Sequence, residues 1–434
     1  MSGSTGQSGI EVRVEALAAG GDGIARLPDG RVVFVEGGLP GDLLELDALE
    51  IRPRLARARI ARLIEASPDR VEPECAHFGR CGGCQWQHLD YEAQVEAKRR
   101  IVQDALERIG GIAIEAPIGI VPSPAPYHYR ARARLVEADS GVGYRRRGSH
   151  EVEAISKCPI LVEALEAPLA ALRAQTSRGA DEIDGGSEVP DAALAGDKAI
   201  DASGRGRRRR RRPTEWCLLA GSSGEAVARP ATGRASKRGE RSRVEIAVAG
   251  ERLRASVTSF VQGNALLWDA LADAVAACAL APRDGRSPGR FVELYAGIGF
   301  LTVPLARRGL EGVAVESDRS ALGDLEANLR RSRLGGRVEV VRGRAELLRD
   351  LGERIARADV LLVDPPRVGL HEAVRRAIEE QGPGRCVYLS CDPATLARDL
   401  RALIAADYRL VSVRAFDLFP QTPHVETLAV LERG

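Results

Sequence analysis

Long apolar runs are missing from this chain. None approaches the roughly 20 residues that a membrane-spanning helix needs, and residues 1–9 are polar, without the apolar segment of a signal peptide. A membrane-spanning helix is therefore not expected, and the cytoplasm is the expected compartment. A dominant charge of one sign is missing too, because 63 Lys and Arg stand against 61 Asp and Glu for a net charge of +2. The balance hides clusters: Arg145-Arg146-Arg147 and the run 207–212 concentrate positive charge of the kind that meets phosphate, or that simply faces water. Without an export signal, the eight cysteines do not read as a disulfide framework; they point to metal binding or catalysis. No flavin or nicotinamide signature accompanies them, which argues against a redox enzyme.

What is present suffices for several folded units. At 434 residues the chain exceeds the usual size of one domain, and 44% hydrophobic residues supply ample core. Residues 10–64 show short apolar alternations broken by glycine, as in Gly20-Gly21-Asp22-Gly23 and Leu39-Pro40-Gly41-Asp42, which predicts a small β-barrel. Arg52, Arg54, Arg57, Arg59 and Arg62 follow at positions that place several on one strand face, a surface suited to nucleic acid. An amphipathic helix is expected over 91–109, closed by Gly110-Gly111, with strands near 130–136 and 142–146. Residues 175–242 are rich in Gly, Ser, Ala, Asp and Arg and, apart from a short strand signal at 216–220, lack periodicity. They read as disordered or looped. From residue 260 onward strands alternate with helices, which predicts a doubly wound α/β sheet with an antiparallel C-terminal strand.

Chemistry gathers at the ends of these strands. The apolar run 386–389 closes on Ser390-Cys391-Asp392-Pro393, and the run 360–363 closes on Asp364-Pro365-Pro366-Arg367. His424-Val425-Glu426-Thr427 opens the last strand. Such a sheet carries its chemistry at the carboxyl ends of its strands, so a thiol, two carboxylates and a guanidinium converge on one rim. A lone cysteine of this kind is more simply a core thiol; the constellation is what argues for catalysis. The stretch 291–300 reads strand, glycine turn, helix, and Glu316 ends the next strand about 20 residues on, where an acid can accept both ribose hydroxyls. Two glycines rather than three suit a nucleoside without a pyrophosphate, favouring S-adenosylmethionine over a dinucleotide. Separately, Cys75, Cys81 and Cys84, with Cys158 from further along, can wrap a metal centre, and four thiolates suit zinc as well as an iron–sulfur cluster. Cys217, Cys278 and Cys386 lie in apolar patterns and read as core.

These motifs resemble those of the S-adenosylmethionine-dependent RNA uracil-5 methyltransferases, most of all the bacterial branch acting on 23S ribosomal RNA. The sequence 23–42 is similar to a TRAM domain, a small RNA-binding barrel, and Thr258-Ser259-Phe260-Val261-Gln262-Gly263-Asn264 is similar to the segment that opens the family's catalytic domain. Tyr388 through Leu400 resembles the nucleophile motif, and Phe419 through Glu426 the motif of the general base. The resemblance implies a Rossmann-like class I methyltransferase domain at 258–434, a TRAM-like barrel at 1–64 and a β-rich central domain at 65–257. It implies Cys391 as nucleophile and Glu426 as base, with Gln262, Tyr295, Glu316 and Asp364 around the cofactor. For Cys75, Cys81, Cys84 and Cys158 it favours a 4Fe-4S cluster over zinc. The implied partner is RNA, ribosomal before transfer RNA, with no membrane and a monomeric enzyme. Phe300 and Arg344 depart from the pattern near the cofactor, so a catalytically silent RNA-binding relative is the rival reading. The retained Cys391 and Glu426 argue against it.

Overall fold

The short apolar runs of the C-terminal part become strands buried over most of their length, as expected of parallel strands covered on both faces. A computed structural model describes residues 9–52, 55–181, 213–231 and 242–434. Across the main sheet the strands are ordered Val338–Arg342, Glu311–Glu316, Arg290–Leu294, Val360–Val363, Arg385–Ser390, Glu426–Arg433, Tyr408–Phe416 and Gly119–Val121. The first five are parallel, and Glu426–Arg433 runs antiparallel to both of its neighbours. This is the doubly wound sheet that the sequence predicts. Chain order reverses between Arg290–Leu294 and Val360–Val363, and loops leaving the carboxyl ends at such a reversal open a crevice.

The outermost strand, Gly119–Val121, comes from far upstream and pairs parallel with Tyr408–Phe416. The sequence pattern does not predict it, because three residues are too few to show alternation. Side chains alternate across the sheet between two cores. Phe291, Leu362 and Val387 meet the helices Trp268–Leu280 and Arg319–Arg331 on one face. Val292, Leu361 and Tyr388 meet Glu372–Gln381, Pro393–Ala405 and Tyr91–Arg108 on the other. Helix Tyr91–Arg108 starts where Asp90 accepts the amides of Glu92 (2.9 Å) and Ala93 (3.4 Å), an N-cap, and stops just before Gly110-Gly111.

Upstream, six strands from Ile10–Arg13 to Leu55–Glu65 enclose Val12, Val33, Leu44 and Ala56. On the last of them Ala56 and Ala58 point inward while Arg57 and Arg59 face solvent, as strand alternation requires. A second sheet, Val152–Ala154, Gly141–Arg145, Arg132–Ala138, Thr214–Ala220 and Ala226–Pro230, shares its core with the first face of the main sheet. This corrects the reading of 175–242. Helix Glu166–Asp181 reaches into that region, and residues 214–230 form a hairpin, because Leu218 pairs with Ala133 and Leu219 with Val227. Ala133 lies 85 residues upstream of Leu218, so local composition does not reveal the sheet that the hairpin joins. Residues 182–212 and 232–241, with the arginine run 207–212, lie outside the described residues. Cys217 and Cys386 are buried, and Cys278 is half-buried against the core. No described helix is long and apolar enough to cross a membrane.

Candidate active site

Antiparallel register brings the thiol and a buried carboxylate together. Ser390, the last residue of its strand, pairs with Thr427, so Cys391 leaves that strand next to Glu426, the first residue of the neighbouring one, near enough to sense its charge. Cys391 is held there by a local turn: the Asp392 amide donates to Ser390 Oγ (3.2 Å), and Asp392 caps helix Pro393–Ala405 through the Thr395 amide at 2.8 Å. Glu426 is only 2% exposed, and its Oε1 is buried without a hydrogen-bond partner. An orphaned carboxyl oxygen costs free energy unless something else meets it, which marks the place where a ligand's proton would arrive. Burial, with Glu426 adding to it and the Arg367 guanidinium opposing it, pushes the Cys391 thiol up to about 11. Burial likewise lifts Glu426 well above the usual carboxylate range, with Asp364 adding to the rise and Arg367 opposing it. Asp364, at the end of Val360–Val363, is pushed up to about 7 by burial. The four expected groups therefore share one electrostatic environment. His424, which sequence reading left without a role, is buried enough to fall to about 4 and so stays neutral.

The other side of the crevice carries the residues expected at the cofactor. Gln262 Nε2 donates to Asp364 Oδ2 at 3.4 Å, linking the segment 258–264 to the rim. Glu316 is fixed by backbone amides: Oε2 accepts from Gly297 (2.8 Å), and Oε1 accepts from Ser317 (2.6 Å) and Asp318 (2.7 Å). The turn between these strands bends through left-handed backbone at Tyr295, Gly297 and Gly299. At Gly299 a Cβ would also meet Leu325 Cδ1 at 2.8 Å, so both conformation and space call for glycine. Phe300 packs into the hydrophobic core, and the Arg344 Nε bonds Glu346 at 2.7 Å. One residue of this wall escaped sequence reasoning: Glu293, 2% exposed and bonded by Thr302 Oγ1 at 2.5 Å, is pushed up to about 8 by burial. A carboxylate inside an apolar strand was its signal.

The four cysteines come from two segments that the fold draws together. The Cys81 amide donates to His77 O (2.9 Å), and the Gly83 amide bonds Cys81 Sγ at 3.4 Å. Burial raises Cys81, lifts Cys84 to about 12 and lifts Cys158 to about 11, and in each case a neighbouring thiol of the group adds to the rise. The Tyr144 hydroxyl, close enough to sense Cys81, Cys84 and Cys158, is buried without a partner. Among the described residues, no three His, Cys, Asp or Glu side chains are disposed to hold a metal ion. All four thiols are free of disulfides.

Comparison with known proteins agrees with this geometry. Residues 241–434 match the model of the tRNA (uracil-5-)-methyltransferase family, and residues 6–61 match the TRAM domain. The chain is 35% identical to a 23S rRNA (uracil(1939)-C(5))-methyltransferase RlmD of Aromatoleum aromaticum, covering 97% of this chain and 99% of that one. An uncharacterized RNA methyltransferase of Gloeobacter violaceus is 35% identical, with 98% and 96% covered. The crystal structure of Pyrococcus abyssi tRNA (uracil-54, C5)-methyltransferase in complex with S-adenosyl-L-homocysteine superimposes with a TM-score of 0.70 at 22% identity, covering 98% of this chain and 100% of that one, a shared fold. The chain belongs to the RNA uracil-5 methyltransferase family.

Proposed function

We propose that this enzyme methylates carbon 5 of a uridine in 23S ribosomal RNA, with Cys391 as nucleophile and Glu426 as base. The observation that supports the reading is that Cys391 and Glu426 lie beside one another just beyond the Ser390–Thr427 pair, close enough for Glu426 to act on the thiol, with the carboxyl Oε1 lacking any partner. Carbon 5 of uracil is too weak a nucleophile unaided. Cys391, as thiolate, adds to carbon 6 and pushes electron density onto carbon 5. S-adenosylmethionine, when bound, supplies an electrophilic methyl group to that carbon. Glu426 then takes the carbon 5 proton, the ring double bond re-forms and the carbon 6–sulfur bond breaks, returning the thiolate. Arg367 favours the charged forms of both residues. Gln262, Tyr295, Glu316 and Asp364 are assigned to the cofactor side. This reading divides the chain into a barrel at 1–64, a central part at 65–257 and a methyltransferase domain at 258–434.

For Cys75, Cys81, Cys84 and Cys158 we propose a 4Fe-4S cluster. The support is that the thiols lie near enough to sense one another although no three are disposed to hold a single ion, and a cluster spans a wider set of sulfurs than one ion does. With all four positions filled by cysteine no iron is left open, so its part is structural. Anaerobically purified protein is expected to be brown; colourless protein with one stoichiometric zinc makes the site a zinc site. Tritiated methyl transfer to 23S rRNA and tRNA transcripts tests the function. Label on the ribosomal transcript alone is expected, label on tRNA alone reassigns the substrate, and label on neither removes the activity.

A further inference from the structure

Connections between strands normally run over the surface, where water satisfies their backbone. The connection 417–425, which leads directly into Glu426, does the opposite: all of its residues are buried except Phe419 and His424, which are half-buried. Its polar groups must therefore be met by protein. Beside bonds within the connection and one from Asn264 Nδ2 to Asp417 O, a set of partners comes from the upstream half of the chain. The amides of Gln85 and Trp86, just after Cys84, both donate to Gln421 O at 3.0 Å, and Tyr129 Oη donates to Pro420 O at 2.8 Å. Gln94 and Gln421 form a reciprocal pair: the Gln421 amide donates to Gln94 Oε1 (2.8 Å), and Gln94 Nε2 donates to Gln421 Oε1 (3.0 Å). That pair sits on strained backbone, since Gln421 has φ +69, a left-handed conformation that a glutamine rarely adopts. One helical turn on, Lys98 Nζ donates to Phe419 O at 2.9 Å and forms an ion pair with Asp417, both side chains 0% exposed.

Gln94 and Lys98 lie on the buried face of helix Tyr91–Arg108, which otherwise presents Ile101, Val102 and Ala105. A helix that only had to pack would place apolar residues there, because burying an amide and an ion pair carries a large desolvation cost. What these groups add over leucine is direction: each fixes a particular atom of the connection. We propose that Gln94 and Lys98 are positioning residues for Glu426, holding 417–425 so that the carboxylate meets the carbon 5 proton. The inference rests on the base role proposed above. Its consequence is specific, since proton removal should suffer while formation of the Cys391 bond should not.

The variants are Gln94→Leu and, to avoid stranding a buried charge, Lys98→Met combined with Asp417→Asn. Each is assayed for turnover, for RNA KM and for methylated protein–RNA adduct on denaturing gels, with S-adenosylmethionine binding as the check of folding. Turnover is expected to fall about tenfold or more, RNA KM to change by less than about threefold, and the adduct fraction to rise about fivefold. Turnover within about twofold of wild type overturns the proposal, and so does a joint fall of turnover and adduct in protein that still binds cofactor. If either variant loses cofactor binding, the other decides, and unchanged amide-exchange protection of 417–425 in a folded variant also overturns it. A wild-type protein that neither methylates RNA nor is trapped by a 5-fluorouridine transcript instead removes the base role, and the positioning role with it.

Discussion

Burial raises the proton affinity of Cys391 and Glu426 alike, and of their charged neighbours only Arg367 works against it. In the proposed mechanism both residues act in their deprotonated forms, and both shifts are upward, so methyl transfer should rise with pH through the neutral range. Replacing Arg367 with Met removes the cation that favours both ionised forms. The rising limb of the pH–rate profile should then move to higher pH, with kcat/KM at neutral pH falling about tenfold or more and part of that loss recovered in alkali. An unmoved profile would take Arg367 out of the site's electrostatics. Under the proposed mechanism, in which Cys391 forms the covalent bond and Glu426 removes the proton, the two residues should fail differently. Cys391→Ala should abolish transfer yet keep RNA affinity within about threefold, because the thiol makes a covalent bond rather than a docking contact. Glu426→Gln should still bond the base but release it slowly, so a slow-migrating protein–RNA species should build up on denaturing gels. If neither Glu426→Gln nor a 5-fluorouridine substrate gives that species, the base lies elsewhere.

Within single elements, the strand Arg290–Leu294 carries an unusual load in Glu293. Its carboxyl holds a proton up to about pH 8 in the folded protein, against an ordinary value of 4.5. Between those values the folded state binds a proton that the unfolded chain has lost. The stabilising contribution is therefore complete below about pH 4.5 and declines as pH rises toward 8, by about 1.4 kcal/mol per unit at most. Glu293→Gln cannot ionise and should flatten the decline of Tm across that range; an unchanged slope in thermal melts at several pH values would place the titration in another group. Elements like this strand were legible in the sequence because a parallel strand buried on both faces is an apolar run with a sharp end, and the sharp ends carry Asp364, Cys391 and Glu426. The first strand of the hairpin 214–230 showed as the signal at 216–220, while its second strand, Ala226–Pro230, was obscured by the polar residues around it, and the strand Gly119–Val121 was too short to show a period. The roles of Gln94 and Lys98 were legible only as polar residues on an apolar helix face, since what they bond lies over three hundred residues away.

Taken as a whole, the molecule is not a catalytic domain with appendages. Residues 241–434 match the methyltransferase family model, yet the main sheet is finished by Gly119–Val121 and one of its faces is covered by Tyr91–Arg108. A fragment limited to 241–434 would present Tyr408–Phe416 as an open edge and leave Asp417 without its amine, a loss of about 3–5 kcal/mol for a buried pair. It should be recovered as aggregate, whereas a fragment beginning at residue 66 should be soluble and monodisperse in sedimentation. Equal solubility of the two would show that the upstream segments are dispensable to the sheet.

The same arrangement sets a clock on the making of the protein. Lys98 and Asp417 are separated by 319 residues. At about 5–20 residues per second, the helix bearing Lys98 waits about 16–64 s on the ribosome before its counterion is synthesised. Through that interval the amine keeps its water, the main sheet has no finished edge, and the helix has no groove to fill. Only when the last twentieth of the chain emerges do the ion pair, the glutamine pair and the edge strand close together. Completion of the fold and arrival of Glu426, the proposed base, are then one event, so a chain truncated near its end would be left without either.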